Sequence, residues 1–325
     1  MDERKLESLA CDICGSFNNT VLCEARDYRY GHKEIFTFVK CLSCGLAFLN
    51  PRPTLDSIIK LYEMDYTLDN KQIVPPRIET NKWKSFIIKF GRKIIGSYTD
   101  EIIDYSAGKV LDIGCGNGYV LLSLKHKGCE VFGIEANCNA VEICSNSGLN
   151  VFHGTLEEAH YPDQFFDVVI MSQVIEHLQS PKKTLKEICR ILKSSGKVYI
   201  YCPNVEGYLS KLFAKYWHGW HIPFHFYGFT EKTIRRLADE GGFIINKAKT
   251  VTPTRFFTVS LKSYLWGKKI SNISPIERGI FLDSSFFVIA ISFLFRILDL
   301  FFPRKGDCLK VIMTKGDYLY SERQN

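Results

Sequence analysis

Between Lys109 and Lys249, short apolar runs alternate with segments of helical periodicity, and few architectures accept that order. Expected strands are Lys109 to Ile113, Glu130 to Ile134, Val151 to His153, Phe166 to Met171 and Lys197 to Tyr201. Expected helices are Tyr119 to Lys127, stopped by Gly128, and Asn139 to Ser147, stopped by Gly148. A third starts at Pro181 under a Ser180 cap, carries Leu185, Ile188, Ile191 and Leu192 at helical spacing, and ends before Gly196. Thr230 caps a fourth, with Ile234, Leu237 and Ala238 on its inner face and Gly241-Gly242 behind it. Phe243 to Lys249 and Cys308 to Thr314 supply two last strands. The sequence therefore predicts an α/β fold: a doubly wound, mostly parallel, seven-stranded sheet over residues 107–317. Residues 252–306 or thereabouts are then an insertion with an apolar helix.

The first strand runs into Gly114-Cys115-Gly116-Asn117-Gly118. Glycines here let the backbone turn tightly and approach a ligand, although an ordinary strand-to-helix turn needs them too. The spacing G-x-G-x-G differs from the G-x-G-x-x-G of dinucleotide sites, whose third glycine would fall on Tyr119. Asp112 stands just before the first glycine. A carboxylate there repels a pyrophosphate and suits a ligand carrying an ammonium and a sulfonium. Glu135, with Ala136 after it, closes the second strand, where an acid accepts ribose hydroxyls; a solvated strand-end glutamate is the plainer reading.

Leu111 to Gly118, with Glu135 beyond, resembles the cofactor motif of class I S-adenosylmethionine-dependent methyltransferases. Phe166-Asp167-Val168-Val169, Val174 to Leu178, and Ile191-Leu192-Lys193 with Gly196 resemble later segments of that family, with Ser195 in place of a usual glycine. The resemblance implies a Rossmann-like methyltransferase that uses S-adenosylmethionine. The backbone of Gly114 and Gly116 would hold its methionine part, with Cys115 and Gly118 in the same cofactor loop, Glu135 its ribose, Thr155 and Leu156 would flank its adenine, and Gln173 would lie near the sulfonium. Many members carry an Asp near these adenine positions, and it is absent here.

Upstream stand Cys11-x-x-Cys14 and Cys41-x-x-Cys44, with 26 residues between the pairs, among twelve cysteines in the chain. Two such pairs make a tetrahedral four-thiolate site, read here as structural zinc over residues 1–55; rubredoxin-like iron and a redox pair are the competing readings. Asn50-Pro51-Arg52-Pro53 marks a boundary, and residues 56–106 read as a helical linker or lid broken near Pro75-Pro76. The cysteine module, and Trp217 to Phe229, resemble parts of sugar and surface-polysaccharide methyltransferases. Residues 1–60 hold eight Lys or Arg against eight Asp or Glu, which argues against nucleic acid as a partner.

A hydroxyl acceptor must lose its proton, and histidine titrates in the right range. His225 is the first candidate for base or acceptor ligand, with His177, beside Glu176, second; a hydrogen-bonded structural histidine is the alternative for each. Ubiquinone-pathway O-methyltransferases resemble Gln173 to His177, but Gln173 replaces the first of their metal-binding glutamates, so no catalytic metal is expected. The acceptor is expected to be a small molecule or glycan: a sugar of a surface glycan or its nucleotide-linked precursor, with a quinone-type phenol or RNA as alternatives.

The chain is formally +7, lacks an apolar leader after Met1, and reads as cytoplasmic. Phe286 to Phe302 is too short and interrupted to span a bilayer. It reads as a core helix, a dimer contact, or a helix on the inner face of a membrane beside Lys262, Lys268, Lys269, Arg278, Arg304 and Lys305.

Overall fold

The computed structural model describes residues 5–58, 60–61, 108–268 and 285–316. The expected linker or lid beyond residue 61 lies outside them, as do Lys269 and Arg278; the described part of the linker, 55–58 and 60–61, is helical.

Seven strands form one sheet: β1 (Lys109–Ile113), β2 (Glu130–Glu135), β3 (Asn150–His153), β4 (Phe166–Ser172), β5 (Leu192–Pro203), β6 (Phe243–Val251) and β7 (Cys308–Lys315). Their order across the sheet is β6-β7-β5-β4-β1-β2-β3. The pairs β3–β2, β2–β1, β1–β4 and β4–β5 are all parallel. The order reverses between β1 and β4, so loops leaving both strands open at one edge, the place where ligands bind in such sheets. β1, β4 and β5 read as apolar runs because both faces are covered: Val110, Leu111, Val168, Val169, Met171 and Val198 are fully buried. The fold is the Rossmann-like α/β architecture expected from sequence.

The connecting helices are α1 (Tyr119–Lys125), α2 (Cys138–Asn146), α3 (Pro181–Ile191) and α4 (Glu231–Glu240). α4 starts on a capping box, with Thr230 Oγ1 accepting the Thr233 N–H and Thr233 Oγ1 accepting the Thr230 N–H. One expected stop is wrong. Gly196 does not end α3, which gives way at Leu192 to an extended backbone and a bulged start of β5 between Leu192 and Lys197. Gly196 instead makes room: a Cβ there would sit 2.6 Å from Leu192 Cγ.

The chain divides into two compact units, each assembled from several segments. The described residues 108–203, 229–249 and 309–316 make the sheet unit. The other joins the described residues 5–58 and 60–61 to 204–228, 250–268 and 285–308.

In this second unit, a four-stranded antiparallel sheet has the order 227–228, 47–49, 35–41, 19–26. Its edge strand, Tyr227–Gly228, comes from the Trp217-to-Phe229 segment. Arg52–Pro53 pairs antiparallel with Leu6–Glu7, so the Asn-Pro-Arg-Pro run is built into the unit. Arg52 is buried, binds Glu7 through Nε at 2.9 Å, and stacks over Phe226 with its guanidinium 5.0 Å from the ring centre.

The insertion contributes α5 (Thr254–Gly267) and α6 (Ser285–Phe301). Buried Asp307 accepts the backbone N–H groups of Leu209 and Ser210 at 3.1 and 3.0 Å, and so caps the short helix Tyr208–Phe213, whose own Gly207 offers no side chain.

Candidate active site

At the carboxyl end of β1 the chain turns through Gly114, Gly116 and Gly118, at φ of 68°, 54° and 71°. A side chain disfavours all three conformations. Space separates them further. A Cβ on Gly114 would lie 2.5 Å from Val174 Cγ2, and one on Gly118 would lie 2.4 Å from Leu149 Cδ1. A Cβ on Gly116 would meet no protein atom within 4 Å. The first and third glycines are thus required by packing, whereas the middle one borders open room beside the turn.

Two neighbours fix the turn. The N–H groups of Gly114 and Cys115 both donate to Ile134 O, at 2.7 and 3.1 Å. Glu135 Oε2 accepts the Gly116 N–H at 2.8 Å while Oε1 accepts the Asn137 N–H at 2.9 Å. With these donors engaged inside the protein, the turn offers acceptors to a ligand: carbonyl oxygens and remaining carboxylate lone pairs. Asp112 is buried inside the sheet. Burial first, and the charge of Glu135 second, push its carboxyl up to about 8. Buried Cys115 has its thiol pushed up by burial and then by Asp112. A cation entering here relieves the repulsion between the two carboxyls. Room at Gly116, acceptors around it and two acids behind it fit the ammonium and sulfonium of S-adenosylmethionine.

Residues 87–247 match a family model described as a methyltransferase domain. The chain carries a class I S-adenosylmethionine-dependent methyltransferase domain. Sequence relatives include the ubiquinone biosynthesis O-methyltransferase of Azoarcus sp., 34% identical over 114 residues, covering 33% of this chain and 48% of that protein. The mitochondrial ubiquinone biosynthesis O-methyltransferase of Schizosaccharomyces pombe is 30% identical over 105 residues, covering 30% and 38%. The chain therefore spans less than half the length of these two curated relatives. Among solved structures, the [4+2]-cyclase SpnF shares the fold at a TM-score of 0.51 and 16% identity, covering 82% of this chain and 97% of its own.

The other expected cofactor residues of the methyltransferase domain sit on the loops after β2, β3 and β4. Ala136 O lies 3.1 Å from His153 Nε2. Thr155 closes a tight turn, its N–H and hydroxyl both donating to Glu158 Oε2 at 2.8 Å, and these bonds hold the Glu158 carboxyl below its usual range. Leu156 beside it is buried and apolar. Gln173 has the left-handed φ of 58°, and its N–H donates to Tyr201 O at 2.7 Å. Such a conformation in a non-glycine residue persists where its surroundings hold it, often at binding sites. It also sets Val174 against Gly114.

Glu176 is fully buried on a 3-10 turn, and burial pushes its carboxyl up to about 8. His177 is half-buried on the same turn. Asp167, in the Phe-Asp-Val-Val run, is structural: it accepts the Lys109 N–H at 2.8 Å and pairs with Lys193 at 2.8 Å.

His225 belongs to the second unit and is buried. Its Nδ1 lies 2.8 Å from Gly219 O. A carbonyl only accepts, so Nδ1 carries a proton, and in the neutral ring the lone pair is then on Nε2, the form a base needs. The same unit holds a cleft lined by Arg26, Arg29, Lys215, His218 and His221. Arg29 Nη1 is 3.3 Å from His221 Nε2, and His218 is held well below its usual range by burial and then by Arg29. Each cation sits by a tyrosine: Arg26 by Tyr28, Arg29 by Tyr30, Lys215 by Tyr216. None of these residues was singled out from sequence, though the basic-aromatic run Arg26-Asp27-Tyr28-Arg29-Tyr30 signals the cleft.

The four cysteines of the paired knuckles come together. Cys11 Sγ and Cys44 Sγ are 3.4 Å apart, Cys14 Sγ and Cys41 Sγ 3.5 Å, and all four lie within 4.8 Å of one another. These separations are too long for disulfides and match the edge, roughly 3.8 Å, of a tetrahedron with metal–sulfur bonds of about 2.3 Å. The two knuckles repeat one pattern. Gly15 N–H donates to Cys11 O and Gly45 N–H to Cys41 O, at 2.8 and 2.9 Å, with both glycines left-handed. Residues Cys11, Cys14, Cys41 and Cys44 could thus hold one ion.

Proposed function

We propose that the chain is an S-adenosylmethionine-dependent O-methyltransferase whose acceptor is a quinone-type phenol. The observation that carries the methyl-donor half is the Gly116 turn, with its open room and two carboxyls. The acceptor half rests on the ubiquinone-pathway names of the relatives. In the reaction the acceptor oxygen takes the methyl group as the carbon–sulfur bond breaks, S-adenosylhomocysteine leaves, and the hydroxyl proton passes to a base. His225, with its lone pair on Nε2, is the first choice for that base. His177 is the second, and buried Glu176 supports the loop that carries it. Asp112, Gly114, Cys115, Gly116, Gly118, Glu135, Ala136, Thr155, Leu156 and Gln173 form the cofactor side.

A sugar hydroxyl of a surface glycan is the second reading. The cysteine knuckles and the Trp217-to-Phe229 segment favour it, since both resemble parts of glycan methyltransferases and the segment, up to Gly228, belongs to the knuckles' own structural unit. Four thiolates fill a coordination sphere, so zinc at the knuckles is structural in either reading.

The deciding experiment incubates the protein with methyl-labelled S-adenosylmethionine and, in parallel, a catechol-type quinol precursor and a set of nucleotide sugars. Label in the quinol supports the first reading, and label in a sugar the second. Absence of cofactor binding by calorimetry rejects both.

A further inference from the structure

We propose that the outward face of α6 rests on an anionic lipid surface. The helix is apolar nearly all round, but only one side is packed. Facing inward, Ser292 bonds Thr254 on α5, and the Phe295 ring lies 5.5 Å from that of Phe257. Asp299 turns in as well, accepting the N–H and hydroxyl of Thr252 at 2.8 and 2.9 Å and the Tyr208 hydroxyl at 3.1 Å. These contacts fix the helix's rotation.

What remains outward is Ile289, Phe293, Leu294, Leu300 and Phe301, spaced along one helical stripe and continued by Phe302. Phe293 is 56% exposed, Leu300 80%, Phe301 76% and Phe302 55%. An aromatic stripe of that size on a soluble surface marks a docking face. The helix has 17 residues, and among the described residues no helix is long and apolar enough to cross a membrane. An apolar stripe on a helix that does not cross suits one lying in the interfacial plane.

Charge selects the occupant. Just past the stripe, Arg304 and Lys305 are exposed. The one acid of α6, Asp299, is turned away from the face, so a second copy docked stripe to stripe would bring no α6 carboxylate to meet those cations. Anionic headgroups would meet them, each basic residue strengthening binding roughly fivefold.

The test is co-sedimentation of the full chain with vesicles of phosphatidylglycerol in phosphatidylcholine, against phosphatidylcholine alone. The expected result is binding to the anionic vesicles that weakens with salt. Phe293→Glu with Phe301→Glu should abolish it, and Arg304→Gln with Lys305→Gln should lower it roughly fivefold per charge. All four substitutions are on exposed side chains, and unchanged circular dichroism and cofactor affinity verify the fold. No sedimentation of the unmodified chain overturns the proposal. So does a dimer that Leu300→Glu converts to monomer, because the face then belongs to a second copy. Cofactor affinity measured on the same samples tests the methyltransferase reading separately.

Discussion

Glu135 Oε2 accepts the backbone N–H of Gly116 at 2.8 Å, although 19 residues separate them. The carboxylate that closes β2 therefore also holds the turn that closes β1, and its second oxygen holds the start of α2 through Asn137. A ligand that bonds Glu135 reads a group already fixed in place. In Glu135→Gln the amide has only one accepting oxygen for two N–H donors, and it carries no charge. Losing one charge-assisted bond costs about 1.5–3 kcal/mol, and S-adenosylmethionine affinity should fall by roughly ten- to hundredfold. Titration calorimetry measures it.

The glycines of the turn should separate under substitution. Gly118→Ala pushes a methyl into Leu149 and Cys144, so thermal stability should drop by several degrees. Gly116→Ala meets no protein atom and pays only the left-handed backbone strain, about 1–2 kcal/mol. Its methyl occupies the room beside the turn, so cofactor binding should weaken far more than stability does. Denaturant melts paired with calorimetry on both variants check the contrast.

Asp112 makes both folding and binding depend on pH. Its carboxyl is raised to about 8 in the folded chain, above the ordinary aspartate value near 4. The folded state then holds a proton that the unfolded state has lost, so stability declines as pH rises from about 4 to about 8. Asp112→Asn should flatten part of that decline; Glu176, Asp299 and Asp307, also raised by burial, keep contributing to it. A cationic cofactor favours the charged carboxylate, so its binding should release a proton and tighten up to about pH 8. Calorimetry in buffers of different ionisation enthalpy reads the released proton.

At the cysteine knuckles, the purified chain should contain one equivalent of zinc by elemental analysis. Cys14→Ser should lower both the metal content and the melting temperature, and a strong chelator should do the same to the unmodified chain. Cofactor affinity should change little, because no cofactor residue of the sheet unit lies among the four ligands.

The sheet was legible because its central strands are buried on both faces and announce themselves as apolar runs between glycine and cap signals. The glycine turn was legible for a similar reason: its backbone conformation demands particular residues. The end of α3 was misread, since Gly196 looks like a stop while the backbone had already changed course at Leu192. Gly133 was missed altogether. It has no unusual backbone angle, yet a Cβ there would lie 2.8 Å from both Cys115 Sγ and Val151 Cγ2. Such crowding exists only after the chain has folded. The second unit was equally hidden. Its ties, Arg29 to His221 and Asp307 to Leu209, span 192 and 98 residues and leave no local pattern.

The cap that Asp307 places on Leu209 and Ser210 has a consequence for how the protein is made. The cysteine knuckles leave the ribosome well before the segment that ends at Cys308, on which the unit they belong to also draws. It cannot close until Asp307 has been synthesised, so the strands at 19–26, 35–41 and 47–49 must wait for that segment before their unit is complete.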